Sequence, residues 1–351
     1  MKIHPLLRDP RAVLVSRTPV SDPVCWEDYR MAAHQAMLAM QIELEGEKAV
    51  IKPNLTSAEN FADPDTGITT HPSFVRGMVE YLQEHGVRHS GTYVLEDPRN
   101  SNDNEPRHWQ RTGFPELAED LGVKLRCPKT YTCVKKAVPN PLAHRALNVS
   151  RLAVSENTVL FNVPKLKTHN LGITTLGMKN LMGTVNVFDR HFCGQAWREM
   201  PEEIQKRDRP REEWMDRALH ERIQEGLARR LADTAQVVQP HLNIVEGVVG
   251  REGTGFRRGR NRSLGLVVAG ANIVAVDSVA SYLMGFDPLE LVYLRVASGI
   301  GLGTNDLSKL ELYVVQDGKV VPCGDVDALR AVPPLRVISG IMGEEPWDGK
   351  A

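Results

Sequence analysis

Apolar positions along this chain fall into short continuous runs separated by helical stripes. That is the pattern of strands buried on both faces alternating with amphipathic helices. The first clear unit starts at Ala49–Lys52, a short apolar run that ends at Pro53-Asn54. A polar loop, Thr56–Thr70, leads to Pro72, which suits a first helical turn. Phe74, Val75, Met78, Val79 and Leu82 then recur at helical offsets, and Gly86 closes the helix. Thr92–Leu95 resumes as a strand and ends in Glu96-Asp97. The unit reads as βαβ, with polar residues gathered at strand ends, where ligands of open α/β sheets bind.

Further on, Phe114–Leu121 reads as a short helix closed by Gly122, and Val123–Arg126 as a strand. Cys133–Val138 and Leu142–Val149, joined by Pro139-Asn140-Pro141, read as a hairpin or an irregular β excursion. Thr158–Val163 is a strong apolar strand that runs directly into Pro164, and Ile173–Met182 is mostly apolar and reads as helical. In the charged stretch 195–240, Leu219, Ile223, Leu227 and Leu231 recur every four residues, so its charges read as the solvated face of an amphipathic helix. Leu242–Val245 predicts a strand followed by a glycine-rich loop, Gly247–Gly259. A strand at Leu264–Ala269, a helix at Val274–Met284 closed by Gly285, a helix near Leu289–Ala297 and a strand at Leu310–Val315 complete the pattern. The expected fold is α/β: two interlocked α/β halves, 48–160 and 161–320, with a central ligand cleft. Residues 1–47 read as an N-terminal extension, 195–240 as a charged helical insertion and 321–351 as a tail.

Composition narrows the partners. At 351 residues, 42% apolar and 25% charged, the chain can bury a large core. A formal net charge of −1 gives no global pull toward nucleic acid or anionic membrane, so basic recognition must be local. Five cysteines without Cys-x-x-Cys spacing fit a reducing compartment. The first eleven residues lack the apolar core of a secretory signal, and Leu264–Ala280 is interrupted by Asn272 and Asp277. The expected location is cytoplasmic, with neither a nucleic-acid nor a membrane partner.

Candidate chemistry concentrates in Pro164–His191. Lys165, Lys167 and His169 alternate just past a buried strand and point one way if the backbone stays extended. Cations converging there make a site for a carboxylate, a phosphate or a phosphorylated cofactor. Lys179 and Asn180 follow on a partly buried element, where a desolvated lysine suits base or nucleophile work; the alternative is a lysine snorkelling along a helix. His71 precedes the N-terminus of the Pro72 helix, which favours an anion, and Thr70 either joins it or caps the helix. Glu96 and Asp97 read as a cation or amine site, or as an acidic turn. Glu252 sits among glycines that allow close backbone approach to a ligand. Asp277, in an apolar helix, needs a partner if buried. Cys193 follows Arg190-His191, a setting that favours thiolate, although an inert thiol is the preferred reading.

At this point the motifs resemble a known family. Asn162-Val163-Pro164-Lys165-Leu166-Lys167-Thr168-His169 followed by Met178-Lys179-Asn180-Leu181-Met182-Gly183 is similar to the core motif of DUF362, a domain of unknown function. Lys52-Pro53-Asn54 with Thr69-Thr70-His71-Pro72, the loop Gly250–Gly255 and the stretch Ala275–Pro288 resemble its flanking motifs. The ferredoxin-like iron–sulfur motifs and export signal of many relatives are missing here, so neither is carried over. A more distant resemblance is to the nickel-dependent lactate racemase family, in which a lysine and histidines surround a nickel-pincer nucleotide. The corresponding residues here are His169, Lys179 and His191.

The expectation is an enzyme acting on a small anionic metabolite, with a phosphorylated cofactor or a divalent or transition metal. Isomerisation, redox chemistry and sulfur transfer all fit these groups. His169, Lys179 and His191 are the catalytic candidates; Lys52, Asn54, Thr70, His71, Lys165, Lys167, Asn180 and Glu252 would bind substrate or cofactor. The alternative is a non-catalytic metal or metallocofactor carrier that uses His169, His191 and Cys193 as ligands.

Overall fold

Residues that alternate along the strands divide between two apolar layers, as a two-fold side-chain period requires. Val13, Val15, Val50, Leu160, Val245 and Val268 face one layer. Leu14, Ala49, Ile51, Phe161, Ile244 and Val267 face the other. Strands covered on both faces explain the unbroken apolar runs in the sequence. The computed structural model describes residues 1–55, 65–88, 91–98, 109–202, 217–255 and 258–337.

The chain begins with β1 (Ala12–Arg17) and α1 (Trp26–Met40), then the expected unit of β2 (Lys48–Pro53), α2 (Pro72–Glu84) and β3 (Thr92–Leu95). Next come α3 (Phe114–Leu121), β4 (Lys124–Arg126) and an antiparallel pair apart from the main sheet, β5 (Cys133–Ala137) and β6 (Ala146–Ser150). The motif region supplies β7 (Thr158–Val163), β8 (Lys165–His169), β9 (Ile173–Thr174) and the short α4 (Gly177–Asn180). Helices α5 (Phe192–Arg198) and α6 (Arg217–Val237) follow, then β10 (Leu242–Arg251), β11 (Asn261–Gly270), α7 (Ile273–Met284), α8 (Val292–Gly299), β12 (Glu311–Gln316) and β13 (Lys319–Pro322). Parts of the expected polar loop (56–64), charged insertion (203–216) and tail (338–351) lie outside the described residues.

One mixed sheet runs through both expected halves, in the order β13-β12-β1-β11-β10-β7-β2-β3-β4. The fold class is α/β. From β2 the chain steps outward through β3 to β4, then returns to place β7 on the other side of β2. The carboxyl ends of β2 and β7 therefore flank a topological switch point. Pro164, which cannot donate to a ladder, separates β7 from β8, and both run parallel to β10.

Three expectations are corrected. Residues 1–47 are no appendage: β1 pairs with β11 on one side and β12 on the other. The glycine-rich loop expected from Gly247 is instead the second half of β10, in a hairpin with β11. Its glycines make room: a Cβ at Gly247 would lie 2.9 Å from Leu166 Cδ1, and one at Gly250 would lie 3.0 Å from Leu166 Cδ2. The expected helix Ile173–Met182 shortens to α4 and a following 3-10 turn, because Ile173–Thr174 pairs back on β8.

Candidate functional site

Along β8, Lys165, Lys167 and His169 share a strand face, yet each meets different chemistry. Lys165 is fully buried, and its Nζ donates to Glu246 Oε2 at 2.6 Å. The same carboxylate oxygen accepts from the backbone N–H of His71 at 3.3 Å, and Oε1 accepts from Val248 at 3.1 Å. Lys165 Nζ also lies 5.2 Å from the Tyr29 ring centroid. Burial pushes the lysine pKa down and the Glu246 pKa up, while each charge opposes the shift of the other. His71 stacks on Tyr29 at 4.1 Å and caps α2 by accepting from Ser73 N at Nδ1. Burial and the Lys165 charge bring its pKa down to about 3, so it is neutral and carries its hydrogen on a buried Nε2. Lys165 and His71, expected as ligand-binding residues, thus brace β8, β10 and α2 against one another.

The switch point is filled by the chain itself. Lys52 Nζ donates to Glu96 Oε2 at 2.6 Å, Pro53 O at 2.7 Å and Asn180 Oδ1 at 3.2 Å. Asn180 Nδ2 donates to Lys52 O and to Asn162 Oδ1. Arg190 pairs with Asp97 at 2.9 Å. Thr70 Oγ1 donates to Val163 O and accepts from Asn54 N, which ties the loop before α2 to the end of β7. The polar atoms of Lys52, Thr70 and Asn180 are therefore spent on internal bonds, as is the acidic pair Glu96-Asp97.

Beyond this plug the charge balance changes. Lys167 Nζ donates to Ile68 O at 2.7 Å. Burial, followed by the charges of Lys179, Lys165 and Arg251, holds its pKa well below the usual lysine range. His169 Nδ1 accepts from the backbone N–H groups of Leu171 and Gly172, at 3.0 and 3.1 Å, which leaves Nε2 as the hydrogen-bearing nitrogen. Burial, with Lys179, Lys167 and His220 nearby, keeps the ring neutral. The chain folds over this imidazole through Ile173, at φ 65°, a strained conformation for a β-branched residue. Strain of this kind clusters at functional sites.

Lys179 stands on α4, whose first N–H groups are held by Asp277: Gly177 N at 2.7 Å and Met178 N at 2.9 Å. Burial pushes Asp277 up to about 7 despite those donors. Half-buried Lys179 lines a small cavity with Gly172, Thr174, Gln224 and Tyr293. The cavity has room for about one water molecule. Among the described residues, Lys179 makes no hydrogen bond or ion pair.

The remaining candidates go elsewhere. His191 is exposed at the start of α5, and Cys193 is half-buried against the core. Among the described residues no three His, Cys, Asp or Glu side chains gather to hold a metal, so the ligand set His169, His191 and Cys193 is not assembled. Glu252 Oε2 accepts from Arg336 N at 3.1 Å and pairs with Arg262, anchoring residues near the C-terminus rather than a ligand. The reason is the hairpin: Glu252 follows β10 instead of lying in an open glycine loop.

A model of the family DUF362, described as a domain of unknown function, matches residues 49–282. This chain belongs to the DUF362 family. The match runs from β2 into α7 and takes in the buried ion pairs of Lys52, Lys165 and Arg190, together with Lys167, His169, Lys179 and Asp277. Tyr293 and the strand β1 lie outside it. A thylakoid-associated protein of Synechocystis sp. is 24% identical over 257 residues, 73% of this chain and 69% of that protein. A crystal structure of a Thermotoga maritima protein aligns at a TM-score of 0.39 and 13% identity. That alignment covers 76% of this chain and 60% of the other. Among the described residues no helix is long and apolar enough to cross a membrane.

Sequence reasoning missed Glu246, Tyr29, Thr174 and Tyr293. Glu246 had a usable signal. A carboxylate inside Leu242–Val249 must find a buried partner, the same logic that flagged Asp277.

Proposed function

We propose that this DUF362 protein is a cytoplasmic enzyme that holds a small anionic metabolite, or the anionic part of a phosphorylated cofactor, beside Lys179 and His169. The observation that carries this reading is Lys179: a lysine on a partly buried helix, without a counter-ion among the described residues, in a region where Lys167 and Arg251 add charge of the same sign. Buried Lys167 feels the charges of Lys179, Lys165 and Arg251, and an anion beside it relieves that repulsion. Neighbouring Lys52, Lys165 and Arg190 each face a carboxylate, which Lys179 does not among the described residues. His169 contributes a neutral Nε2–H, suited to donating to a ligand oxygen rather than to removing a proton.

Two outcomes of one experiment decide the matter. The purified chain is denatured, and the small molecules released are identified by mass spectrometry, for the wild type and Lys179→Ala. An anion released in stoichiometric amount by the wild type and lost in the variant is the expected result. The same anion retained in equal amount by Lys179→Ala refutes the placement.

A further inference from the structure

We propose that Arg251 grips the anion, receiving a carboxylate or phosphate group on the Nε–Nη2 edge of its guanidinium. This deepens the anion-site reading and rests on it.

Three arginines are buried among the described residues: Arg190, Arg230 and Arg251. Arg190 faces Asp97, and Arg230 faces Glu199. Arg251 faces no carboxylate among the described residues. Its Nη1 donates to Asn261 Oδ1 at 2.7 Å, and the same oxygen accepts from Gly67 N at 3.2 Å. Asn261 thus fixes the guanidinium without neutralising it. Nε is buried and has no hydrogen-bond partner, and Nη2 makes no bond among the described residues. Burial pulls the Arg251 pKa down with no carboxylate to oppose it. A water molecule would satisfy the Nε hydrogen but leave the charge uncompensated. An anion satisfies both, through charge-assisted bonds stronger than neutral ones.

The position fits that ligand. Arg251 on β10 stands in register with Lys167 on β8, so the two side chains leave the same face of the sheet. One turn packs on both: Ile68 O accepts from Lys167 Nζ, and a Cβ at Gly67 would lie 2.9 Å from Arg251 Cβ. Lys167 feels the charges of Lys179 and of Arg251, which makes it their common neighbour. With Nη1 taken by Asn261, the remaining edge of the guanidinium carries two parallel N–H groups. That fork matches the paired oxygens of a carboxylate or phosphate. Gly259 borders it: a Cβ there would lie 3.2 Å from Nε and 3.3 Å from Cζ, so a side chain would crowd the fork.

The test is calorimetric titration of inorganic phosphate into the full-length chain, as wild type, Arg251→Gln, Arg258→Gln and Lys179→Ala. Arg251→Gln should weaken binding at least about tenfold, as loss of hydrogen bonds to a charged group implies. Arg258→Gln removes the same charge from an exposed position beyond β10 and should stay within about twofold. Full binding by Arg251→Gln with loss in Lys179→Ala overturns this inference and leaves the anion site at Lys179 standing. Loss in Arg251→Gln with full binding by Lys179→Ala keeps Arg251 as the anion-binding group and overturns the Lys179 reading. No binding to the wild type overturns both. A loss in Arg258→Gln equal to that in Arg251→Gln would show a diffuse positive field and overturn the assigned fork. Should Arg251→Gln fail to fold, a crystal structure of the wild type grown with phosphate decides. A phosphate oxygen in hydrogen-bond range of Arg251 Nε or Nη2 supports the proposal, and a guanidinium without phosphate overturns it.

Discussion

Lys165 and Glu246 show how far residue chemistry in this chain depends on charges that never reach water. Both are fully buried, and their bond joins β8 to β10. Lys165→Met strands the carboxylate and should destabilise the fold by about 3–5 kcal/mol, whereas Lys165→Met with Glu246→Leu should cost much less than the two single changes summed. Urea unfolding of the four proteins measures this; additive losses would show the pair to be independent. His71 carries a pH dependence. Its folded pKa of about 3 lies below the ordinary 6.5, so the folded state refuses a proton that the unfolded chain accepts. The stability it contributes is complete above pH 6.5 and is lost as pH falls toward 3. His71→Asn keeps a helix cap and removes the titration. Between about pH 7.5 and about pH 5, the wild type should lose about 2 kcal/mol more than His71→Asn; equal losses would remove the neutral-histidine assignment. From the sequence the cations of the motif were visible, but their partners were not. Glu96 and Glu246 lie 44 and 81 positions from the lysines they meet, and only the sheet order brings them close.

Elements were most legible where period and caps agreed. Pro72, the apolar stripe after it and the following turn specify α2, and Gly285 at φ 106° ends α7. They were least legible where glycine serves packing rather than turning. In β10, Gly247 and Gly250 clear space for Leu166, so a continuous strand carries the composition of a loop. Gly183 belongs to the same class. A Cβ there would lie 2.6 Å from Lys52 Nζ and 2.6 Å from Glu96 Oε1. Gly183→Ala should therefore cost about 1–3 kcal/mol by forcing that ion pair to move, a loss that thermal unfolding would register. An unchanged melting temperature would mean that the segment over the switch point packs less tightly than described. The short α4 also has a cause outside its own sequence: Asp277, one hundred residues on, supplies the bonds that start it.

At the scale of the molecule, one sheet carries both expected halves, and the first strand is woven into its interior. With β1 paired on both sides, a chain starting at Lys48 would expose the edges of β11 and β12 and should not yield a soluble folded protein. Recovery of a cooperative unfolding transition from that shortened chain would show the opposite. The α/β class and the order of the central units were readable because buried parallel strands leave continuous apolar runs. The filled switch point was not readable, since Lys52, Asn180 and Arg190 look alike whether they face a ligand or a carboxylate. What distinguishes Lys179 is the lack of such a partner among the described residues. Calorimetric titration of inorganic phosphate into the wild type and Lys179→Ala tests that most directly. Saturable binding that weakens at least about tenfold in the variant is the predicted result; equal affinity in both proteins would contradict an anion site at Lys179.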